Sequence, residues 1–327
     1  MNKLLAQKLS HSMRRIRTVE ETIAERYSEQ QMRCPTHLST GQEAVSAAVG
    51  EILRKTDLAV SGHRAHAHYL AKGGNLNAMI AEIYGRVTGC ARGKGGSMHL
   101  IDESVGFMGS TAIVGGTVPV GVGLGYGLKL KGEQNIAVIF LGDAVVETGV
   151  FYESINFALL KNLPVLFVCE NNQFSVYTPL EQRQSTTLDI YERVAGLGVM
   201  TEYGNGNDVV EVYNKTKNMT EKIRSGGGPA FLQFDTFRWR EHCGPNYDDD
   251  LNYRETSFIE KWRSDEPIAR FEKYAIDTGL LKETEIQTNQ IEIEAEVNAA
   301  FEFAVNSPFP HADEASKHVF AEQHIKG

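Results

Sequence analysis

Two short apolar runs, each ending in a polar turn, constrain this chain more than anything else in it. Ile136 to Leu141 closes in Gly142-Asp143-Ala144-Val145, and Pro164 to Cys169 closes in Glu170-Asn171-Asn172. Runs of this length, rich in Val, Ile and Phe and bounded by turn residues, predict buried strands. Between them Phe151, Ile155, Ala158 and Leu159 recur at helical spacing and give one apolar face. The unit is therefore strand–helix–strand, and its two strands are expected to lie parallel with a right-handed crossover. Asp143 and Asn172 then reach the same edge of the sheet, the edge at which open α/β sheets bind ligands. One carboxylate plus neutral oxygens, completed by phosphate oxygens, is how proteins usually hold magnesium. The segment reads as a Mg²⁺–diphosphate site. The competing reading has Asp143 capping the next helix; the Asn pair arriving one unit later favours the metal.

The rest of the chain supplies helices and a few more strands. Leu5 to Gln31 carries Leu9, Met13, Ile16, Val19 and Ile23 at intervals of three and four, and Gln42 to Leu53 and Asn77 to Tyr84 read as further helices. Ala59-Val60-Ser61 leads into Gly62-His63-Arg64-Ala65-His66-Ala67-His68. Gly121, Gly123, Gly125 and Gly127 alternate along a helix expected within Gly115 to Leu130. Each glycine costs such a helix about 1 kcal/mol relative to alanine, so close approach of another helix is the expected gain. Val194 to Met200 and Ala230 to Phe234 are candidate strands, and Val209 to Ser225 a helix. Pro267 to Ile276 and Glu283 to Asn306 are amphipathic. The whole predicts an α/β fold, a mostly parallel sheet flanked by helices with helical N- and C-terminal extensions. It reads as one domain over 1–327, in which residues 1–55 are helical, 56–235 form an α/β core, 236–254 a polar loop and 255–327 a second helical segment.

Composition excludes several classes. A net charge of −9 is wrong for a nonspecific nucleic-acid binder, which neutralises phosphates with a basic surface. No apolar run approaches the roughly 20 residues of a membrane span, and the N-terminus shows no signal-peptide core. Cys34, Cys90, Cys169 and Cys243 are far apart without a CxxC pair, as expected for free thiols in a reducing compartment. These features predict a cytoplasmic protein. Arg92-Gly93-Lys94-Gly95-Gly96-Ser97-Met98-His99 is neither a Walker A loop nor GxSxG. No GxGxxG follows a strand.

Several of these segments, in this order, resemble the thiamine-diphosphate-dependent enzymes. More narrowly, the chain resembles the α subunits of two-subunit 2-oxo acid and acetoin dehydrogenases, from about Leu9 to Arg254. The family's fingerprint starts with Gly-Asp-Gly and ends about thirty residues later in Asn-Asn; here Ala144 replaces the second glycine. The resemblance implies a thiamine-diphosphate-binding fold, with thiamine diphosphate and Mg²⁺ as cofactors. It implies metal ligation by Asp143, Asn172 and the main-chain carbonyl of Phe174, and diphosphate contacts from the backbone of Ala144 and Val145. His63-Arg64-Ala65-His66 matches a family segment in which Arg64 and His63 grip the diphosphate and His66 lines the channel to the thiazolium. His37, ahead of Gly41-Gln42-Glu43-Ala44, matches a His that faces the cofactor. Ala112 and Val114 match the positions whose backbone holds the aminopyrimidine. Phe237 to Cys243 aligns with a loop whose catalytic His falls on His242; Cys243 replaces a serine that some relatives phosphorylate, and Gly244 to Asp250 departs from the family pattern. A rival reading takes His63, His66 and His68 as a zinc triad, but no Asp or Glu follows nearby to complete it.

Thiamine catalysis needs a glutamate against the aminopyrimidine, and in the resembled enzymes that residue belongs to a β subunit. The expected assembly is α₂β₂, with catalytic residues His242 and His66. The expected reaction is oxidative decarboxylation of a 2-oxo acid, or acetoin cleavage, with acyl transfer to a lipoyl carrier. His63, where pyruvate-type enzymes often have Tyr, leans to the acetoin-like branch. Two alternatives are a lipoate-independent half-enzyme, transketolase-like or a synthase, that transfers a two-carbon unit, and a noncatalytic scaffold.

Overall fold

The computed structural model describes residues 1–317; residues 318–327, the end of the expected C-terminal helical segment, lie outside the described residues. Six strands form one parallel sheet: β1 (Leu58–Ser61), β2 (Phe107–Ser110), β3 (Ala137–Gly142), β4 (Val165–Asn171), β7 (Met200–Asn205) and β8 (Ala230–Asp235). Their spatial order is β2-β1-β3-β4-β8-β7. A small antiparallel hairpin, β5 (Phe174–Ser175) and β6 (Thr178–Pro179), follows β4 directly. The two runs that opened the argument are β3 and β4. They pair in parallel from Ala137↔Val165 to Gly142↔Glu170, joined by helix α6 (Gly149–Leu160).

Both faces of the sheet are covered, as parallel sheets require. Val138 and Phe140 of β3, Leu166 and Val168 of β4, and Leu232 and Phe234 of β8 belong to one core. That core is shared with α1 (Lys3–Arg26), α2 (Glu43–Ile52), α4 (Leu76–Ile83), α8 (Val209–Lys222), α10 (Pro267–Asp277) and α11 (Glu283–Asn306). The alternate residues Ala137, Ile139, Val165, Phe167 and Phe231 belong to a second core, with α5 (Thr117–Leu130), α6 and α7 (Ile190–Ala195). The expected terminal helical segments meet each other: α1 packs against α11 and α10. Helix α1 is capped by Asn2, whose side chain accepts from the Leu5 N–H at 2.9 Å. It buries the predicted stripe of Leu9, Met13, Ile16, Val19 and Ile23.

Two expectations are corrected, and one rival reading falls. The strand expected over Val194 to Met200 is instead the end of α7, a turn through Gly196 and Gly198, and then β7. Asp189 and Glu192 form a capping box that starts α7, and the apolar signal at Val194 belongs to that helix. Strand β7 is an edge strand, so its Thr-Glu-Tyr sequence carries no apolar run. Secondly, the α5 glycines admit the sheet rather than another helix. A Cβ on Gly121 would lie 2.3 Å from Ile139 Cγ1, and one on Gly125 would lie 2.4 Å from Val165 Cγ2. Gly123 and Gly127 have nothing within 4 Å. The rival reading of Asp143 as a helix cap fails, because Asp143 does not cap α6. Thr148 holds that position, and Asp143 opens a 3-10 turn, Asp143–Glu147. Helices α3 (His66–Ala71) and α9 (Thr256–Ser264) and strand β2 were not anticipated.

The strand order places the ligand edge. From β1 the chain passes to β2 on one side and then, through α5, to β3 on the other. That reversal opens a crevice beyond the carboxyl ends of β1 and β3, where Gly62-His63-Arg64 and Gly142-Asp143 emerge. G121V and G125V are each expected to destabilise the chain by about 1–3 kcal/mol through overpacking. G123A should be neutral or stabilising by up to about 1 kcal/mol. Denaturant unfolding of the three variants against the parent distinguishes these outcomes, and equal losses at all three positions would refute the sheet-facing account.

Candidate active site

A cavity of about 350 Å³ lies in this crevice. Of the residues expected from sequence, His37, His63, Arg64 and His242 line it, as do Ala112 and Val114. So do Asp143, Ala144, Val145, Asn172 and Phe174. Segments remote in sequence thus converge because β1, β3 and β4 are neighbours. A hollow of about 420 Å³ between α1 and α11, lined by Lys8, His11, Glu285 and Asn289 among others, contains none of these residues.

Arg64 dominates the electrostatics. Its guanidinium donates to the carbonyls of Leu38 and, at 3.3 Å, His242, and among the described residues no carboxylate pairs with it. Burial, then Arg238, push its pKa down to about 9. Around it stand three imidazoles. The His37 ring centroid lies 4.5 Å from that of His63 and 5.1 Å from that of His242, and the last two are 5.4 Å apart. Burial first and Arg64 second hold all three far below the ordinary histidine value: His37 at about 2, His63 at about 4 and His242 at about 3. The buried Nδ1 of His37 has no hydrogen-bond partner. Three ring nitrogens within 4.8 Å of one another have the spacing of a metal site, but the guanidinium beside them opposes a cation. The cluster is built for an anion.

At the other end of the cavity the chemistry reverses. Asp143 is buried, and burial pushes its carboxyl above the usual range despite Arg183, which forms an ion pair with it. The Asn172 amide donates to Gln42 Oε1 at 3.2 Å, and its oxygen accepts from the Phe174 N–H at 3.3 Å. The Ala144 and Val145 N–H groups head the 3-10 turn, where amides have no acceptor within the turn itself. Gly62 and Gly142 have open space where a Cβ would stand. Val176, at the tip of the β5–β6 hairpin, lines the cavity with φ of 55°, an outlying conformation for a β-branched residue. Arg238 donates to its carbonyl at 3.3 Å.

His66 is the exception among the expected residues. It is fully buried and does not line the cavity. Its ring meets Glu20 of α1 at 3.1 Å and Ser97 of the glycine-rich loop at 2.8 Å, so the expected channel-lining role is corrected to one of support. His68 takes the inner position. It bonds Ser61 at 2.8 Å and Glu170 at 3.0 Å and stacks on Phe140 with ring centroids 4.0 Å apart. Two residues along a helix turn about 200°, so His66 and His68 face opposite ways. The six-residue α3 that carries them had no readable period. With both nitrogens of each ring engaged, the zinc-triad reading has no support.

The 236–254 loop is ordered by buried charge. Arg254 pairs with Asp248, Arg238 lies 3.6 Å from the same carboxylate, and both arginines are buried. The loop docks on the His37 segment through Trp239 N–H to the Thr40 carbonyl at 3.1 Å and Gly244 N–H to the Thr36 carbonyl at 2.9 Å. Gly41, at φ of 95°, allows this approach, since a Cβ there would meet Trp239 at 2.5 Å.

With an anion pocket and a carboxylate–amide rim in one cavity, comparison with known proteins decides the family. The model for the dehydrogenase E1 component matches residues 11–313. The chain belongs to the dehydrogenase E1 component family. It is 34% identical over 305 residues to the pyruvate dehydrogenase E1 component subunit alpha of Rickettsia prowazekii, covering 93% of this chain and 92% of that one. It is 32% identical over 313 residues to the same subunit from Porphyra purpurea, covering 94% and 90%. Against the chloroplastic alpha-3 subunit of Arabidopsis thaliana it is 33% identical over 312 residues, covering 94% and 72%. As a member of the E1 family it is a component of a thiamine-diphosphate-dependent dehydrogenase that acts in oxidative decarboxylation of a 2-oxo acid. Among the described residues no helix is long and apolar enough to cross a membrane.

The depressed histidines are expected to make the chain acid-labile. From about pH 6.5 down to about pH 4 the unfolded chain binds protons that the folded cluster refuses, so stability falls as pH falls. Denaturant midpoints at pH 7.5 and 5.5 should show this loss, reduced in a variant with His37, His63 and His242 all replaced by Asn. NMR titration of the three rings near pH 6.5 would contradict it.

Proposed function

We propose that this chain is the α subunit of a pyruvate-type 2-oxo acid dehydrogenase and holds the Mg²⁺–diphosphate half of thiamine diphosphate. A β subunit contributes the glutamate that faces the aminopyrimidine, and the acyl unit passes to a lipoyl carrier. The whole chain, 1–327, serves as one diphosphate-binding domain. The observation that carries this reading is Arg64: a cation in the cavity wall that, among the described residues, has no paired carboxylate and stands beside a ring nitrogen without a partner. Such a group calls for a bound anion, since an uncompensated charge removed from water is costly.

The residues present fit the cofactor. Arg64 and His63 would take the diphosphate oxygens by charge-assisted and ordinary hydrogen bonds. The Ala144 and Val145 amides are placed to add to them, with Gly62 and Gly142 leaving room. Asp143, the Asn172 amide oxygen and the Phe174 carbonyl would hold Mg²⁺, as an oxygen set with one carboxylate suits that ion. When bound, thiamine diphosphate supplies the nucleophilic carbon and the electron sink for decarboxylation. His242 is neutral at pH 7 and offers one ring nitrogen as acceptor and the other as donor. It can therefore hold a proton or orient a substrate carboxylate at the cavity mouth. His37, packed edge-on against it and His63, fixes the ring and keeps water from that side. Ala112 and Val114 lie on a loop whose apolar side chains Ile113 and Val114 are 71% and 47% exposed. Together with exposed Leu130 and Leu160 on α5 and α6, they supply apolar surface for a β chain to cover. The relatives named above are pyruvate enzymes, which supports a small 2-oxo acid over acetoin.

R64M should weaken thiamine diphosphate binding about 10- to 100-fold, the loss of one or two charged hydrogen bonds; calorimetry of the folded variant measures it. Ferricyanide-coupled turnover should require a β subunit and should be fastest with pyruvate in a 2-oxo acid panel. Substantial turnover by the chain alone, or transfer to an aldehyde acceptor without ferricyanide or lipoate, would overturn the reading.

A further inference from the structure

The guanidinium of Arg183 is engaged on three sides. Nη2 donates to Oδ2 of Asp143, Nη1 to Glu147, and Nε to the Thr178 carbonyl at 3.1 Å. The side chain is only 9% exposed. Thr178 pairs with Ser175 in the hairpin that begins at Phe174. A neighbouring amide adds to the clamp: Gln184 Nε2 donates to the Asp143 carbonyl at 3.0 Å and to Glu147 at 2.8 Å, and Arg193 donates to the Gln184 oxygen. One planar fork thus ties the 3-10 turn that carries Asp143 to the hairpin that carries Phe174. Leaving that position would strand the Asp143 carboxylate and the Thr178 carbonyl together, with Gln184 the remaining partner of Glu147. Oδ1 of Asp143 takes no side-chain donor among the described residues, and Asp143 lines the cavity.

We propose that Arg183 is a positioning residue that selects the divalent cation: by occupying Oδ2 it leaves Asp143 a single oxygen for the metal and so favours Mg²⁺ over Ca²⁺. This rests on the reading of Asp143 as a metal ligand. The selection follows from coordination chemistry. Mg²⁺ demands a compact octahedron, and one oxygen per carboxylate satisfies it. Ca²⁺ takes roughly six to eight oxygens and is commonly held by a carboxylate through both. An oxygen already gripped by an arginine has less charge and one fewer lone pair to offer, which makes that carboxylate a poorer two-oxygen ligand.

The test is a calorimetric titration of thiamine diphosphate into the full chain, alone and with its β subunit, over a series of Mg²⁺ or Ca²⁺ concentrations. The parent should need at least about tenfold more Ca²⁺ than Mg²⁺ for half-saturation. R183M should bring the two values together, losing most of that ratio as Oδ2 becomes available. R183K keeps a cation on Asp143 but not the three-way clamp, and should lie between them; it carries the test if R183M does not fold. An unchanged ratio in a folded R183M, or equal weakening with both metals, overturns the proposal and leaves Arg183 a structural ion pair. D143A should abolish metal-dependent binding. If D143A retains it, the ligand assignment itself fails, a result distinct from an unchanged ratio in R183M.

Discussion

A guanidinium set in the cavity wall, with no paired carboxylate among the described residues, organises this site. Arg64 is half-buried in the cavity wall and has no ion-pair partner among the described residues. Two backbone carbonyls, from Leu38 and His242, are its protein acceptors. The consequences spread outward. Its field helps keep His37, His63 and His242 neutral, which makes them hydrogen-bonding groups rather than further positive charges. Its two carbonyl acceptors belong to the two segments that form the cavity mouth, so the charge that awaits an anion also sets the distance between those segments. The opposite rim inverts the pattern, with a carboxylate raised by burial and a carboxamide held by Gln42. One cavity thus has a positive and a negative pole, which suits a metal–diphosphate ion pair lying across it.

Much of this was legible in the sequence because parallel strands buried on both faces must be continuous apolar runs. Ile136 to Leu141 and Pro164 to Cys169 could hardly be anything else, and once they are neighbours the meeting of Asp143 with Asn172 follows from topology. Strand β7 was missed for the opposite reason: an edge strand need not be apolar, and the apolar residue before it belonged to a short capped helix. Close approach was rightly expected for Gly121 and Gly125 but not for Gly123 and Gly127, and residue spacing does not say whether the approaching surface is a helix or a sheet. Side-chain partnerships across the fold left no local trace. His68 meets Glu170 and Arg183 meets Asp143 over separations of 102 and 40 residues, and neither pair has a signature at fixed spacing. The histidines of His63 to His68 were visible as a group, yet which of them turn inward depends on a helix of six residues that no periodicity could reveal.

The polar loop 236–254 illustrates how charge replaces hydrophobic burial as an ordering force. Its sequence is rich in Arg and Asp and resembles a solvated segment. In the fold Arg238, Asp248 and Arg254 are buried together, and Phe237 stacks near Trp262 of α9 with centroids 6.2 Å apart. The result is a wall carrying His242 that is tied down by buried charge pairs and by backbone bonds to the His37 segment. The restraint is specific to pairings, since each arginine would become an isolated buried charge if its aspartate were lost.

That wall is also moored to the first helix. Arg17 of α1 lies over the Trp239 ring, 4.4 Å from its centroid, while bonding Glu43 and Glu266, and Glu21 of α1 holds Arg240. The placement of the His242 imidazole therefore depends partly on α1, a helix that does not line the cavity. Inherited variation along that helix would surface as altered turnover with the pocket chemically intact, and grafting the loop onto another scaffold without its anchoring helix would carry over the residues but not their alignment.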